Sequence, residues 1–559
     1  MKLSRKIALF LTCLLILFTV AGCQSKPAAD SASAEKKDSA KQSSSVQQKE
    51  SSEQKSSVSS AVATTDDGIK KGGTLMVGFV GEPESFNPDA AANDAAYRIN
   101  QNIFNKLVKI NGKNEVIPDL AKSWEYSEDG KTLTFHLAEN VKWHDGKDFS
   151  AEDVKWTFDQ IKAEKGFASN SLSNVKEIEV KDNNTVVFKL EAPNAGMMGS
   201  LAWMGTYILP KHLYENTNWL ENPANNAPIG TGPFKFVEYK KGENVTLEKN
   251  PDFFGHEVYL DKIIYKLFSD DNAAYQAWVV GEVDLLNGAG VPADQMAQYE
   301  GNPDYVTAQL TWPNKSYLCF NVKDGVFSNR DLREAVLYGL DREMIFTKAL
   351  KSRGAISEYF IAPQYSWAIN PDVKSPDKDI KKATELIEKA GYKKNADGYY
   401  FETEIVTFPG WDDFVPVLKA NFEEMGIKLS HNSLDDAAYD KLVLEDKKFD
   451  FTVLGGYQGP DISAMASRFS TDGPMNYGLY SSKEMDKELK AGNEATKQED
   501  RAVHYKNVQE ILRKDLPVVF FSDKGAPIVL KAYIKGHPAT EASDISSEAE
   551  YSNIWIDNH

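Results

Sequence analysis

A cysteine near the amino terminus is the first residue whose neighbours indicate a chemistry. Three basic residues precede an apolar stretch over residues 7–20, and Ala21 and Gly22 then stand before Cys23. The apolar stretch is short for a membrane span, and small residues let a signal peptidase bind close to the backbone. We therefore predict a bacterial signal peptide over residues 1–22 and lipidation of Cys23 by a diacylglycerol thioether and an N-acyl group such as palmitate. The alternative is an ordinary signal peptide or a membrane anchor that happens to contain a cysteine.

Catalytic and metal-binding motifs are missing from the sequence. It has no Gly-x-Ser-x-Gly elbow, no His-Glu-x-x-His helix and no phosphate-binding glycine loop with Lys-Ser or Lys-Thr. His136 and His144 are the only close pair among the eight histidines, and they lack the spacing of metal ligands. We predict that the protein is no enzyme and has neither a metal site nor a cofactor. A hydrolase is the alternative, because carboxylates in a cleft can transfer protons.

Charge and cysteine content narrow the range of partners. The formal net charge is −18, and removal of a signal with three basic and no acidic residues makes it −21. Such a surface repels nucleic acid and anionic membrane, so neither is expected as a ligand. Only Cys23 and Cys319 remain in the mature chain, and a lipidated Cys23 cannot pair. We expect no disulfide and interpret Cys319 as a small core residue.

The chain changes character after Cys23. Residues 24–70 are mostly Ser, Lys, Gln, Ala and Glu, a composition that cannot bury a core, so a flexible tether is predicted over residues 23–71. Alternation of apolar residues then predicts strands at 74–79, 132–137, 185–190, 234–239, 244–247 and 449–454. The chain beyond the tether is therefore expected to contain β-structure along most of its length.

Helices are predicted between these strands. Ser150 and Asp153 form a capping box in front of an apolar helical face. A second helix begins at Asp379 and stops before Gly391, and residues 331–350 are interpreted as a third. Strands and helices that alternate in this way predict a mixed α/β fold.

Four groups of short motifs follow one another along the chain. They are residues 81–88 (Gly-Glu-Pro-Glu-Ser-Phe-Asn-Pro), residues 117–154 with Trp124 and Trp143, residues 229–234 with 249–254, and residues 320–342 with Arg333 and Asp341. In this order they resemble the bacterial extracellular solute-binding proteins of family 5, the oligopeptide, dipeptide and nickel binders of ABC importers.

The resemblance implies an α/β fold with two lobes, periplasmic-binding-protein-like, of type II and cluster C, with an extra domain in the discontinuous lobe. Two hinge strands would join the lobes, which would close around the solute. The implied boundaries are 72–95, 215–312 and 520–559 for lobe I, 96–214 for the extra domain, and 313–519 for lobe II.

The resemblance also places the solute against the strand at 449–454 and the residues that follow it. Gly455 and Gly456 permit close approach of a peptide backbone, which could add as a further strand. Tyr457 stands in for the tryptophan that is usual in the family. Asp461 is the nearest carboxylate for the peptide ammonium group, although it could instead cap the turn or helix that follows.

Three further carboxylates are candidates for the same role. Asp435 and Asp436 occupy the stretch where the family often has a cleft tryptophan, and either could bind the ammonium instead of Asp461. Glu82, in the first loop, is a candidate from the opposite lobe. Val453 stands where some members carry an arginine for the peptide carboxylate, so binding of the peptide carboxyl terminus is not predicted.

The implied function is that of a substrate-binding lipoprotein of an ABC transporter, which captures extracellular oligopeptides and delivers them to permease subunits. The alternatives are a binder of a nickel complex, haem or oligosaccharide, and a receptor for peptide pheromones. We expect a monomer on the extracellular face of the cytoplasmic membrane of a Gram-positive cell, held to that membrane through its lipid anchor only.

Overall fold

The computed structural model describes residues 68–89, 93–111, 114–287, 290–538 and 550–557. The predicted signal peptide, Cys23 and most of the predicted tether lie outside these residues, so their predictions stay predictions. The strands are β1 Thr74–Val80, β2 Val108–Ile110, β3 Val116–Pro118, β4 Ala121–Tyr126, β5 Thr132–Leu137, β6 Val175–Asp182, β7 Thr185–Leu190, β8 Phe234–Lys240, β9 Asn244–Lys249, β10 Lys262–Phe268, β11 Leu285–Asn287, β12 Tyr305–Phe320, β13 Ala355–Ile356, β14 Phe401–Thr407, β15 Ile427–Ser433, β16 Phe451–Tyr457, β17 Val518–Lys531, β18 Ile534–Lys535 and β19 Trp555–Ile556.

Helices connect most of these strands. The α-helices are α1 Asp94–Asn100, α2 Ala151–Ala163, α3 Met197–Leu201, α4 Lys211–Tyr214, α5 Asp271–Val279, α6 Arg330–Gly339, α7 Arg342–Met344, α8 Ile380–Lys389, α9 Val415–Glu424, α10 Asp436–Tyr439, α11 Ala466–Phe469, α12 Lys483–Glu494 and α13 Gln498–Asp515. Short 3-10 turns include Pro409–Phe414 and Ile462–Met465, and π-helical turns lie at Ile345–Ala349 and Asp440–Glu445.

A five-stranded sheet in the order β11-β1-β10-β9-β8 forms what we term the first lobe. β1 is parallel to β10 and β11, whereas β10, β9 and β8 are antiparallel. Leu75, Val77 and Phe79 of β1 alternate into the core and are buried. The strands predicted at 74–79, 234–239 and 244–247 are confirmed, each one or two residues longer than predicted.

An antiparallel sheet in the order β4-β5-β7-β6 packs against α2 in the same core. The capping box predicted at the start of α2 is confirmed, because the Ser150 N–H donates to Asp153 Oδ2 at 2.9 Å. Val154, Phe158 and Ile161 lie on one face of α2 and are fully buried. The predictions of strands at 132–137 and 185–190 are confirmed residue for residue.

A six-stranded sheet in the order β13-β17-β12-β16-β14-β15 forms the second lobe. Its buried apolar residues form a cluster separate from that of the first lobe, and α6, α8, α9 and α13 contribute to it. Two sheets with separate cores match the two-lobed α/β fold that the resemblance implies. The exact domain boundaries given above stay predictions.

Two long strands, β12 and β17, pass from one lobe to the other, and we term them the crossing strands. They pair antiparallel from Tyr305↔Lys531 to Cys319↔Val518, with a register shift between Thr311 and Lys315 and a second one between Ser316 and Tyr317. The first-lobe half of β17 is fixed to that lobe, where Lys531 donates to the Val283 carbonyl at 2.9 Å. The first register shift marks the point at which the paired strands can bend between the lobes.

The helix predicted over residues 331–350 is wrong in its continuity. α6 ends at Gly339, and Asp341 then caps a new turn by accepting from the Met344 N–H at 2.9 Å. A Cβ on Gly339 would overlap the sulfur of Met425, so the close approach of α9 requires glycine there. The helix at Asp379 is confirmed, with the Asp379 side chain capping α8.

Cys319 is buried, and burial raises the pKa of its thiol to about 12. The thiol is therefore unreactive at neutral pH, which confirms its interpretation as a core residue. Among the described residues, no helix combines the length and the apolar character that crossing a membrane requires.

The loop at Gly230 and Gly232 is held by backbone contacts and by a histidine. The carbonyl of Ile103 accepts from the Gly232 N–H at 2.8 Å, and a Cβ on Gly230 would overlap that same carbonyl oxygen. The His144 ring bonds on both sides, with Nδ1 3.2 Å from the Gly230 N and Nε2 3.0 Å from the Gly232 oxygen. His144 is thus a structural histidine, as its lack of ligand spacing indicated.

We expect Gly230→Ala to destabilise the protein by about 1 to 3 kcal/mol, because the added methyl group must displace the Ile103 backbone. Chemical unfolding followed by circular dichroism measures the change. Gly290→Ala is the matched control, since no atom of the described residues lies within 4 Å of its Cβ position. An equal stability of the two variants would contradict the packing of this loop.

Candidate functional site

Three strands of the second lobe end at one border of its sheet. β14 ends at Thr407, β15 at Ser433 and β16 at Tyr457, and all three run in the same direction. The crossing strands enter and leave the second lobe at this border. Ligands of α/β proteins bind outside the carboxyl ends of parallel strands, so this border is the candidate site.

β16 is internal at its start and open at its end. Phe451 and Thr452 pair with β14 on one side, and the whole of β16 pairs with β12 on the other. Among the described strands, none pairs with the β14 side of β16 over residues 453–457. This side of the stretch therefore lacks a strand partner, and an added peptide strand could supply one beside the half-buried Gly455.

The two glycines of β16 face opposite sides of the sheet. A Cβ on Gly456 would stand 2.5 Å from the Tyr317 ring, so only glycine fits against this ring. A Cβ on Gly455 would stand 3.1 Å from Lys524 Nζ and 3.6 Å from Trp411 Cζ2. The side chains of Lys524 and Trp411 therefore lie directly over the backbone of Gly455.

Lys524 lies on β17 with its ammonium group over an aromatic ring. Its Nζ is 4.5 Å from the centroid of the Trp411 ring, which belongs to the turn after β14. Lys524 is half-buried, and none of the ion pairs among the described residues includes it. Burial lowers the pKa of Lys524, because the charged form loses hydration.

Two serine hydroxyls lie on the same face of the sheet as Gly455. Ser316 is the register partner of Gly455 on one side and of Ser522 on the other. Both hydroxyl groups are buried, and neither has a hydrogen-bond partner in the described part of the chain. This face thus combines one cation, one indole ring and two hydroxyl groups without partners.

Asp461 lies near the border but already has a strong partner. Its carboxylate accepts from Arg501 Nη1 at 3.0 Å and from Arg501 Nη2 at 2.5 Å. It also caps the following 3-10 turn by accepting from the Ser463 N–H at 2.9 Å. Burial would raise the pKa of this carboxyl, but the charge and hydrogen bonds of Arg501 outweigh burial and lower it.

Asp461 also borders a polar cavity between the second lobe and the four-stranded sheet region. The cavity has a volume of about 210 Å³ and is lined by Asn170, Ser171, Asn194, Ser200 and Asn493. A ligand ammonium in this cavity would have to share Asp461 with Arg501. The amine-anchor role of Asp461 stays a prediction, and its capping role is observed.

The other carboxylates predicted from the sequence are dispersed. Asp435 caps α10 by accepting from the Ala438 N–H at 2.9 Å, and both Asp435 and Asp436 are exposed. Glu82 accepts from the Gly242 N–H at 2.5 Å, at the hairpin turn between β8 and β9. Of the predicted residues, the structure brings Gly455, Gly456 and the backbone of Tyr457 together at the border.

The first lobe contributes a small cavity beside the crossing strands. Its volume is about 200 Å³, and its lining includes Arg98, Asn287, Trp312 and Pro527. Arg98 donates to Asn287 Oδ1 at 2.8 Å, and Trp312 Nε1 is buried without a hydrogen-bond partner among the described residues. Because Pro527 follows Lys524 by three residues, this cavity lies along the same crossing strand as the cation.

Sequence reasoning missed Lys524, Trp411, Ser316, Ser522 and Arg501. Lys524 and the two serines belong to strands that become neighbours only in the folded sheet, far apart along the chain. Trp411 carried one usable signal, because an aromatic residue in a Pro-Gly turn directly after a strand is placed at the end of a sheet. Arg501 carried none.

Comparison with known proteins gives a consistent result. The family model for bacterial extracellular solute-binding proteins, family 5, middle, matches residues 115–477. The oligopeptide-binding protein AppA of Bacillus subtilis (strain 168) is 29% identical over 502 residues, which cover 85% of this chain and 91% of that protein.

Solved structures agree in fold along most of the chain. An ABC transporter substrate-binding protein, CtaP from Listeria monocytogenes, is 26% identical with a TM-score of 0.78, over 88% of this chain and 100% of that one. AppA of Bacillus subtilis in complex with a nonapeptide is 26% identical with a TM-score of 0.66, also over 88% of this chain and 100% of that one.

Proposed function

The chain belongs to the bacterial extracellular solute-binding proteins of family 5 and is the substrate-binding protein of an ABC transporter, and from this we propose that it captures extracellular oligopeptides for uptake. The observation that carries the peptide assignment is the open side of β16 over residues 453–457. An extended peptide can satisfy these backbone groups as an added strand, whatever its side chains.

One relative supports a peptide rather than another solute. The curated relative AppA is named an oligopeptide-binding protein, and its solved structure holds a nonapeptide. The described residues of this chain contain no group of three or more His, Cys, Asp or Glu that could hold a metal ion. Gly455, Gly456 and Tyr457 would contact the peptide main chain, and Asp461, Asp435, Asp436 or Glu82 would receive its ammonium group.

The mechanism follows from the two lobes. A peptide that contacts both lobes favours the closed arrangement, because the closed form gains contacts that the open form lacks. The crossing strands bend at the register shift between Thr311 and Lys315 as the cleft opens and closes. Closure buries the peptide, and the closed pair of lobes then docks on the permease subunits.

Location and assembly form part of the same proposal. Lipidation of Cys23 would hold the protein at the extracellular face of the cytoplasmic membrane of a Gram-positive cell, and the tether over residues 23–71 would let the body reach the importer. A monomer is sufficient for this role, since one pair of lobes forms one cleft.

Native mass spectrometry of the purified protein tests the peptide assignment. We expect a mixture of masses that sequence as short peptides and are released intact when the protein unfolds. Protein stripped by unfolding and then refolded serves as the control, and it should regain masses from a peptide pool but not from a sugar pool. A single discrete mass of a metal chelate, haem or oligosaccharide would contradict peptide capture, and cleaved peptides would indicate an enzyme.

A further inference from the structure

Lys524 is a cation without a protein countercharge at the candidate site. Its ammonium group lies over the Trp411 ring and beside the Gly455 backbone, and all three residues are half-buried. An aromatic ring compensates only about 1 kcal/mol of the hydration that a partly buried ammonium loses. The position therefore favours an additional anion.

The neighbouring carboxylates are committed elsewhere. Asp523, the preceding residue, pairs with Lys315, which donates also to Ser357 Oγ at 2.6 Å. Asp412, which follows Trp411, accepts from Thr407 Oγ1 at 2.6 Å and from Ser433 Oγ at 2.8 Å. Neither carboxylate forms an ion pair with Lys524, so the missing anion would have to come from a ligand.

Hydroxyl donors stand on the same face of the sheet. Ser316 is the register partner of Gly455 and Ser522 is the next residue in the same row across the sheet, and their Oγ atoms are buried without partners in the described residues. A carboxylate has two oxygens that accept several hydrogen bonds, so it suits one ammonium together with hydroxyl donors. A neutral or cationic group would leave Lys524 uncompensated.

We propose that Lys524, seated on Trp411 above Gly455, binds a carboxylate of the solute, with Ser316 and Ser522 as hydrogen-bond donors to it. This inference rests on the proposed peptide function and deepens it: the protein prefers solutes with a free carboxylate, either the peptide carboxyl terminus or an acidic side chain. Lys524 on β17 would then take the role of the arginine that this chain lacks at Val453, from a different strand of the same sheet.

Isothermal titration calorimetry tests this with paired probes. One probe is a pool of short peptides with a free carboxyl terminus, the second is the same pool amidated, and the third is an amidated pool with one internal glutamate. We expect the wild type to bind the free acids roughly 10- to 100-fold more tightly than the amides, which is the range for a hydrogen bond to a charged group. Tighter binding of the third pool than of the first would assign the carboxylate to a side chain, and the reverse would assign it to the carboxyl terminus.

Substitutions of Lys524 test whether its ammonium group causes the preference for free acids. Lys524→Met should reduce the preference for free acids over amides to within about twofold, and Lys524→Arg should keep the preference. Lys531→Met is the matched control, because Lys531 lies on the same strand over the Trp278 ring at 5.5 Å but in the first lobe. Thermal unfolding of each variant checks that the fold is intact.

The contrary outcomes are distinguishable. If the wild type binds all three pools equally, or if Lys524→Met weakens all three alike, the carboxylate subsite is wrong while peptide capture stands. If the wild type binds none of the three pools, peptide capture itself fails and the subsite fails with it.

Discussion

Asp461→Asn is expected to lower the free energy of unfolding by roughly 3 to 5 kcal/mol. The substitution keeps the shape of the side chain but leaves the guanidinium group of Arg501 buried without a countercharge. Arg501 cannot escape to solvent easily, since it also donates to the Gly492 carbonyl at 3.1 Å and stacks near Trp367. Unfolding in guanidinium chloride, followed by circular dichroism and by tryptophan fluorescence, measures the loss.

The same variant separates two roles for Asp461. If the carboxylate chiefly anchors the peptide ammonium, Asp461→Asn would lose peptide affinity and keep its stability. If it chiefly holds Arg501, stability falls, and Arg501→Met shows a loss of similar size. Asp435→Asn is the control, because an exposed asparagine caps a helix as well as aspartate does and should change stability by less than about 0.5 kcal/mol.

Acid unfolding provides an independent measure of the Asp461 pair. The folded-state pKa of Asp461 is held below its unfolded value, so the unfolded chain binds the proton more readily. Its stabilising contribution is complete above the unfolded pKa of about 4 and is lost as the pH falls through the folded pKa. We expect Asp461→Asn to flatten the acid limb of the stability profile below about pH 4. An unchanged profile would show that the pair contributes nothing.

Local sequence patterns were sufficient to predict the strands and helices, but they did not show which segments contact one another in the fold. The strands at 132–137 and 185–190 could be predicted to the residue because alternating apolar side chains have one buried face. The interpretation of residues 331–350 as one helix failed because helical periodicity continued through Asp341, whereas Leu340 is extended and the Asp341 N–H donates to Asn421 Oδ1 at 2.8 Å. That contact joins segments far apart along the chain.

The residues of the candidate site also differ in whether the sequence could identify them. Gly455 and Gly456 could be identified because a glycine pair at the end of a strand has few local explanations. The occupation of Asp461 by Arg501 could not, since forty residues separate the two and no local rule relates them. Lys524 was missed for a similar reason, because its neighbours Trp411 and Gly455 come from a turn and a strand that are distant from it along the chain. Contacts of charged residues with distant segments therefore require the fold.

Lys315 and Asp523 form a buried ion pair. These residues are register partners on the crossing strands, directly beside the register shift, and are 0% and 3% exposed. Burial lowers the pKa of Lys315 and raises the pKa of Asp523, while each partner opposes the effect on the other. The pair therefore joins the two strands at the hinge at a considerable cost in hydration.

Lys315→Met should lower the free energy of unfolding by roughly 3 to 5 kcal/mol at neutral pH, because Asp523 is left buried and charged. The double variant Lys315→Met with Asp523→Leu should recover most of that loss, since apolar side chains of similar size need no hydration. Lys155→Met is the control: it breaks an exposed pair with Asp159 on α2 and should cost less than about 0.5 kcal/mol.

The loss of stability in Lys315→Met should depend on pH, in a direction set by the pKa of Asp523. In this variant the folded-state pKa of Asp523 lies above its unfolded value, so the folded protein binds the proton more readily. The deficit relative to the wild type should therefore shrink as the pH falls from about 8 towards 5 and grow as it rises. A deficit that stays constant over this range would mean that Asp523 keeps its charge in the folded variant, and that burial does not raise its pKa into this range.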